Sequence, residues 1–203
     1  KGYVTLRQAL ASSLNVATVK IAEMISYERV ADMWNKRLAV NQNVKPYPAI
    51  ALGSFEALLL AVTRDPAMMI YLDNRSNART APNENYAREV FELFTLGEGQ
   101  YTETDIKEAA RAFTGWHVAL RHGGGFVFNR RQHDAGVKHV LGKTGAFGGD
   151  EILAIALDQP ACATYVTAKL WREFVSDEPD AREVERLAAL FRNSGYQIKP
   201  LLR

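Results

Sequence analysis

A predominantly α fold, one helical body with a small β-hairpin inserted and a further helical segment ahead of it, follows from three features of the sequence. Apolar residues recur at three- and four-residue intervals along most of the chain. Thr, Ser, Asp or Asn stands at the start of these runs and Gly beyond several of their ends, as capping requires. Alternation at period two follows the Gly123-Gly124-Gly125 run and returns only in a short stretch near Val137. The chain has 203 residues, 47% apolar and 24% charged, ordinary proportions for a globular protein. Its net charge of +2 is too small to imply a nucleic-acid or anionic-membrane partner. The lone cysteine, Cys162, excludes an internal disulfide and any multi-cysteine metal site, and its neighbours Ala161 and Ala163 suggest a small buried residue. The longest apolar stretch, Ala49 to Val62, is interrupted by Gly53, Ser54 and Glu56. It falls short of the ~20 residues that a membrane-spanning helix needs.

In chain order, Thr5-Leu-Arg-Gln8 has the spacing of a capping box, and helices are predicted over Val16–Ile25 and Tyr27–Leu38. Asn41 to Pro48, with two prolines, reads as a loop. After a Ser54 cap, Phe55, Leu58, Leu59 and Val62 form an apolar stripe that ends at Asp65-Pro66, and Pro66 suits the first turn of a helix to Leu72. Asp73 to Pro82 reads as a polar loop. Asn83 caps a strong helix ending near Gly97, with Tyr86, Val90, Leu93 and Phe94 on its apolar side. Thr102 or Thr104 caps the next, which ends at Gly115. Phe126 and Phe128 alternate with Val127 and Asn129 and pair with Val118 to Leu120 as a hairpin, and Val137 to Leu141 is a further strand candidate. The rest is helical: Asp150–Leu157, Ala161–Val175 and Ala181–Asn193, the last burying Val184, Leu187, Ala188 and Phe191 and stopped by Gly195.

Two stretches carry family resemblances. Tyr3-Val-Thr-Leu-Arg-Gln-Ala-Leu-Ala-Ser-Ser-Leu-Asn-Val-Ala-Thr-Val-Lys20, continued by Val44-Lys-Pro-Tyr-Pro-Ala-Ile-Ala-Leu-Gly-Ser-Phe-Glu56, resembles the transpeptidase domain of class A penicillin-binding proteins around its Ser-x-Asn motif. The resemblance makes Ser13 and Asn15 the relict substrate-binding pair. Acyl transfer in that family needs a serine with a lysine one helical turn downstream, whose amine activates the hydroxyl. None of Ser12, Ser13, Ser26, Ser54, Ser76, Ser176 and Ser194 has lysine three residues later, so transpeptidation is not expected. Lys143-Thr144-Gly145 copies the family's third motif by coincidence and is expected in a glycine-rich turn leading into a helix.

The second resemblance rests on Asp65-Pro-Ala-Met-Met-Ile-Tyr-Leu-Asp-Asn74, Ala81-Pro-Asn-Glu-Asn-Tyr-Ala-Arg-Glu-Val-Phe-Glu-Leu-Phe-Thr-Leu-Gly97 and Tyr101-Thr-Glu-Thr-Asp-Ile-Lys-Glu-Ala-Ala-Arg-Ala-Phe-Thr-Gly-Trp116. With His133-Asp134, Lys169-Leu-Trp171 and Phe174-Val-Ser-Asp-Glu-Pro179, these strings resemble the bacterial domain of unknown function 1800 family over residues 54–203. The two resemblances imply a hybrid: a truncated transpeptidase-like helical fragment at 1–53 and a partial helical domain at 54–203, joined near Ala51–Glu56. Charge shifts at the same place, from seven Lys/Arg against three Asp/Glu in 1–53 to 18 against 20 in 54–203. Residues 1–53 are expected either to dock through Val19, Val30 and Trp34 or to leave an apolar patch exposed. Both parent families run longer than this chain, and they imply a bacterial envelope setting, periplasmic or exported, with peptidoglycan or another envelope component as the partner.

Three functions are open at this stage. In the first, the chain is a binding or scaffold module, and Asn85, Arg88, Glu89 and Glu92 on one helix, with Asp105, Glu108 and Arg111 on the next, are solvated faces laced by ion pairs. In the second, Glu89, Glu92, His133 and Asp134 form an acid/base site, with Glu89, Glu92 and His133 holding a divalent metal, since carboxylates and imidazole suit such ions. The third is penicillin binding and peptidoglycan cross-linking, which the missing nucleophile argues against. Arg121, His122, Arg130, Arg131 and His133 around Phe126 and Phe128 are explained by an exposed hairpin as well as by a nucleic-acid surface, and the overall charge does not favour the latter.

Overall fold

The computed structural model describes residues 54–119 and 125–201. The readings at 1–53, including Ser13, Asn15 and Trp34, and those at Arg121 and His122 lie outside the described residues. The described part is mainly α with two short hairpins. In order it comprises α1 (Phe55–Thr63), α2 (Pro66–Tyr71), a 3-10 turn (Asn74–Ser76), α3 (Asn85–Glu89) continuing as a π turn (Val90–Thr95), and α4 (Glu103–Phe113). There follow β1 (Trp116–Val118), β2 (Phe126–Phe128), β3 (Lys138–Val140), β4 (Lys143–Gly145), α5 (Gly149–Asp158), α6 (Pro160–Phe174), α7 (Ala181–Asn193) and α8 (Ile198–Leu201).

The helix starts are where the capping residues put them. Ser54 Oγ accepts from the Ala57 amide at 3.2 Å, and Asp65 caps α2 with Pro66 in its first turn. Asp180 accepts from the amides of Arg182 and Glu183. Thr102 and Asp105 form a reciprocal capping box on α4. Asp105 also reaches a distant element, where its Oδ1 accepts the Leu141 amide at 2.7 Å. Leu141 and Gly142 both have positive φ, 49° and 78°, the signature of a two-residue hairpin turn. A left-handed leucine is disfavoured, and the Asp105 clamp helps hold it there.

That turn joins β3 to β4, antiparallel, with Lys138 opposite Gly145, His139 opposite Thr144 and Val140 opposite Lys143. Lys143-Thr-Gly145 is therefore a strand, not the turn expected of it, and the strand candidate at 137–141 is half of a second hairpin. The first hairpin pairs Trp116 with Phe128 and Val118 with Phe126.

The α3 helix departs from its expected face. From Val90 to Thr95 the backbone widens into a π turn, with the Leu96 amide bonded to the Phe91 carbonyl at 2.7 Å. Each π residue advances less around the axis than an α residue. Phe91 and Thr95 consequently swing inward and are fully buried, while Leu93 turns out to 45% exposure. The expected polar loop at 73–82 also proves partly internal: Asn74 and Asn77 are fully buried. Asn77 donates to Asn74 Oδ1 and to the Ala110 carbonyl, and accepts from the Asn83 amide, each within 3.0 Å.

The core is aromatic. Tyr86, Phe113, Trp116 and Phe126 meet edge-on at 5.0–5.2 Å between centroids. Gly149 opens α5 against the Trp116 and Phe113 rings, where a Cβ would collide with both. Phe55, Phe191 and Tyr196 form a second cluster that closes α1 onto α7, with the Phe55 amide bonded to the Tyr196 carbonyl at 2.8 Å. Cys162 is fully buried, and that burial pushes its thiol up to about 12.

Candidate functional site

Two places gather the side chains worth weighing: a polar junction where α4 meets the loop from Asn129 to Val137, and an apolar groove on α1 and α6.

The junction is built around Arg111. Its Nε donates to Asp134 Oδ2 at 2.7 Å and a terminal nitrogen to Asp134 Oδ1 at 3.3 Å. The other terminal nitrogen reaches both oxygens of Glu108, at 2.9 and 2.8 Å, and the Val137 carbonyl at 3.2 Å. This is the forked recognition that guanidinium provides and ammonium does not. The Arg111 guanidinium holds the Asp134 carboxyl below the usual carboxylate range, helped by the Gly136 amide and the Lys138 charge and opposed by burial. Lys138 is fully buried yet donates to backbone carbonyls, Asp134 O at 2.6 Å and Gly136 O at 2.9 Å. Burial lowers its pKa, and the Asp134 charge pulls it back up. Thr114 ties the junction to α4: its hydroxyl donates to the Arg111 carbonyl and accepts the Asp134 amide. His133 Nδ1 donates to the Thr114 carbonyl at 2.9 Å, and its ring stands edge-on to Phe128 at 5.2 Å.

These contacts decide the fate of the candidate residues. Glu92 accepts from the Tyr101 hydroxyl at 2.8 Å, across the turn that follows the π segment. Burial, then the Glu92 carboxylate, push that hydroxyl up to about 12. Glu89, half-buried one turn earlier on α3, joins neither arrangement. His133 and Asp134 are brought to one junction, but each faces a different partner. Among the described residues, no three His, Cys, Asp or Glu side chains lie together as a metal ion would need, so Glu89, Glu92 and His133 do not converge. The physical reason is local: Glu92 is engaged by Tyr101, and the His133 ring is directed onto the end of α4. A carboxylate held ionised by a bidentate guanidinium is also a poor general acid or base near neutral pH. Sequence reasoning aligned Asp105, Glu108 and Arg111 but missed that Arg111 pairs with Asp134, 23 residues away, because nothing local signals that contact.

The groove, about 270 Å³, lies between α1, the π turn, α6 and α8. Phe55, Leu58 and Val62 from the α1 stripe form one wall, and Leu93, Phe94 and Leu170 the other. At its margin Lys169 donates to the Leu93 carbonyl at 2.9 Å and lies 5.2 Å from the centre of the Tyr165 ring. Burial lowers its pKa. Among the described residues it meets no carboxylate within about 4 Å, the reach of an ion pair.

A mainly α domain with two short hairpins, an ion-paired junction and an apolar groove is thereby defined. The chain belongs to the family described as protein of unknown function (DUF1800), whose sequence profile matches residues 13–203. That match begins at Ser13, upstream of the expected junction near residue 54. Among curated proteins, a 62-residue stretch is 40% identical to penicillin-binding protein 1A of Aquifex aeolicus (strain VF5). The stretch covers 30% of this chain and 8% of that protein, so the chain spans under a tenth of the length of this relative. No solved structure matches. No described helix is long and apolar enough to cross a membrane.

Proposed function

We propose that this protein is a binding module whose groove on α1 and α6 receives an apolar helical segment carrying a carboxylate. The observation that carries the reading is the contrast between the two candidate places. Asp134, Glu108, Glu92 and His133 are each held by an internal donor or acceptor. The groove, in contrast, presents apolar walls and one ammonium with donor capacity to spare. Apolar anchors spaced by helical turns are the usual guest of such a groove, and a carboxylate would complement Lys169. In this reading the chain carries out no acyl transfer, because no serine has the downstream lysine that would activate it. Residues 1–53, which the family profile overlaps from Ser13 onward, carry a transpeptidase-like character in this reading, which the resemblance at Tyr3–Lys20 and the charge shift support, and the setting is the bacterial envelope.

The test is fluorescence anisotropy with a labelled helical peptide bearing leucines at i, i+3 and i+7 and one glutamate. Saturable binding is expected, abolished by Leu58→Asp, weakened at low salt by Lys169→Glu, and unchanged by Asp134→Asn. No binding to the wild-type chain, or equal binding to Leu58→Asp, would overturn the proposal.

A further inference from the structure

The end of α6 is itself an apolar helical segment followed by carboxylates. Val166, Leu170 and Phe174 recur at four-residue steps, so they share one stripe of the helix. Val166 and Leu170 line the groove, and Leu170 also lines a second, mostly apolar cavity of about 350 Å³ between α6, α7 and α8. Phe174 and Val175 line that cavity too, so Leu170 joins the groove to the end of the helix in one apolar face. The face is open to solvent: Leu93 is 45% exposed, Phe174 53% and Val175 64%. Contiguous exposure of large apolar side chains marks an interaction surface, where single scattered ones do not.

Charge runs along this face with opposite signs at its two ends. Lys169 stands at the groove end. Asp177 and Glu178 follow Val175 at the other end, both exposed, as are Arg172 and Glu173 between them and Lys169. Among the described residues none of these five makes an ion pair. A surface that is apolar at its centre, positive at one end and negative at the other is complementary to itself once turned half round. We propose that this face pairs with the same face of a second copy of the chain, the two α6 helices lying antiparallel about a two-fold axis between Arg172 and Glu173. The proposal rests on the groove reading above and names the groove's guest. That register sets Leu170 opposite Val175, Trp171 opposite Phe174 and Arg172 opposite Glu173, and it brings Lys169 beside Ser176 and Asp177. Each contact then occurs twice. A second copy matches both charged ends together, whereas a partner offering only a carboxylate would leave Asp177 and Glu178 without a counter-charge.

The experiment is sedimentation velocity of the full 203-residue chain across a concentration series at low salt. A monomer–dimer equilibrium is expected with no larger species, because a two-fold contact closes on itself. Phe174→Ser with Val175→Ser, at two side chains that are mostly exposed, is expected to abolish the dimer. Lys169→Glu, and Asp177→Lys with Glu178→Lys in one chain, are each expected to weaken it about tenfold, since every reversal acts twice. An equimolar mixture of those two charge-reversed chains is expected to dimerise as the wild type does, because unlike charges face each other again; a loss caused by misfolding would not be recovered by mixing. A wild-type chain that stays monomeric or forms larger oligomers, any of the three variants dimerising like the wild type, or a mixture no better than its components would overturn the proposal. The Phe174→Ser/Val175→Ser chain keeps every groove residue, so the labelled acidic peptide separates the two readings. Peptide bound by this variant alongside a monomeric wild type removes the second copy and keeps the groove, and no peptide bound removes the groove reading itself.

Discussion

Replacing Arg111 by Met removes a guanidinium but keeps most of its aliphatic stem, so the loss reads out the junction itself. Four charge-assisted bonds disappear, two to Asp134 and two to Glu108, together with the bond to the Val137 carbonyl. The two carboxylates left behind are 21% and 18% exposed, so water compensates only partly. Asp134 retains the Gly136 amide and Glu108 the His139 amide, which limits the damage. A fully buried pair broken on one side costs about 3–5 kcal/mol and an exposed pair about 0–1 kcal/mol. Intermediate exposure with residual donors places Arg111→Met at ~2–3 kcal/mol. For a chain of this size that lowers Tm by roughly 5–10 °C. Urea unfolding and calorimetry measure it, and a double-mutant cycle with Asp134→Asn should return a coupling of about 1 kcal/mol or more. A loss below ~0.5 kcal/mol, or additive single effects, would show that the junction behaves as an ordinary surface ion pair and would refute the reasoning.

Asp134 has its folded pKa depressed, so its contribution is present above the unfolded value of about 3.9 and is lost as pH falls through the folded one. The stability gap between the wild type and Asp134→Asn should accordingly be constant near pH 7 and close below about pH 4; a gap that widens in acid would contradict this. Gly149→Ala drives a Cβ into the Trp116 and Phe113 rings and should cost about 1–3 kcal/mol by overpacking, although alanine favours helices; unchanged unfolding would show that α5 is free to shift. Incubation with a fluorescent β-lactam should give no covalent label, because no serine has the activating lysine; a labelled serine would remove the distinction drawn between the chain and the transpeptidases it resembles.

How much of this was legible depended on the range of the interaction. The caps were: Ser54, Asp65 and Thr102 each act within three residues of themselves, and their side chains hold the helix starts that the sequence marks. The stripe of Phe55, Leu58 and Val62 was visible as helical periodicity and proves to wall the groove. The π turn was invisible because no residue in Val90–Thr95 announces it, and the expected apolar face therefore went wrong at Leu93 and Phe91. The β3–β4 turn was missed because its first central position is Leu141, where Asn or Asp would have signalled positive φ. The stabilising contact comes from Asp105, on another element. Glu89, Glu92, His133 and Asp134 are not gathered into one cluster among the described residues for the same reason. Spacing puts carboxylates on one face, but Tyr101, Thr114 and Arg111 decide where they point.

Mapping backbone amide shifts by NMR as the acidic apolar peptide is titrated in tests the central claim most directly. Shifts concentrated at Leu58, Val62, Phe94 and Leu170, with His133 and Asp134 unmoved, are what a groove-binding module requires. Shifts centred on His133, Asp134 and Arg111 with the groove silent would instead make the ion-paired junction the working site and contradict the account.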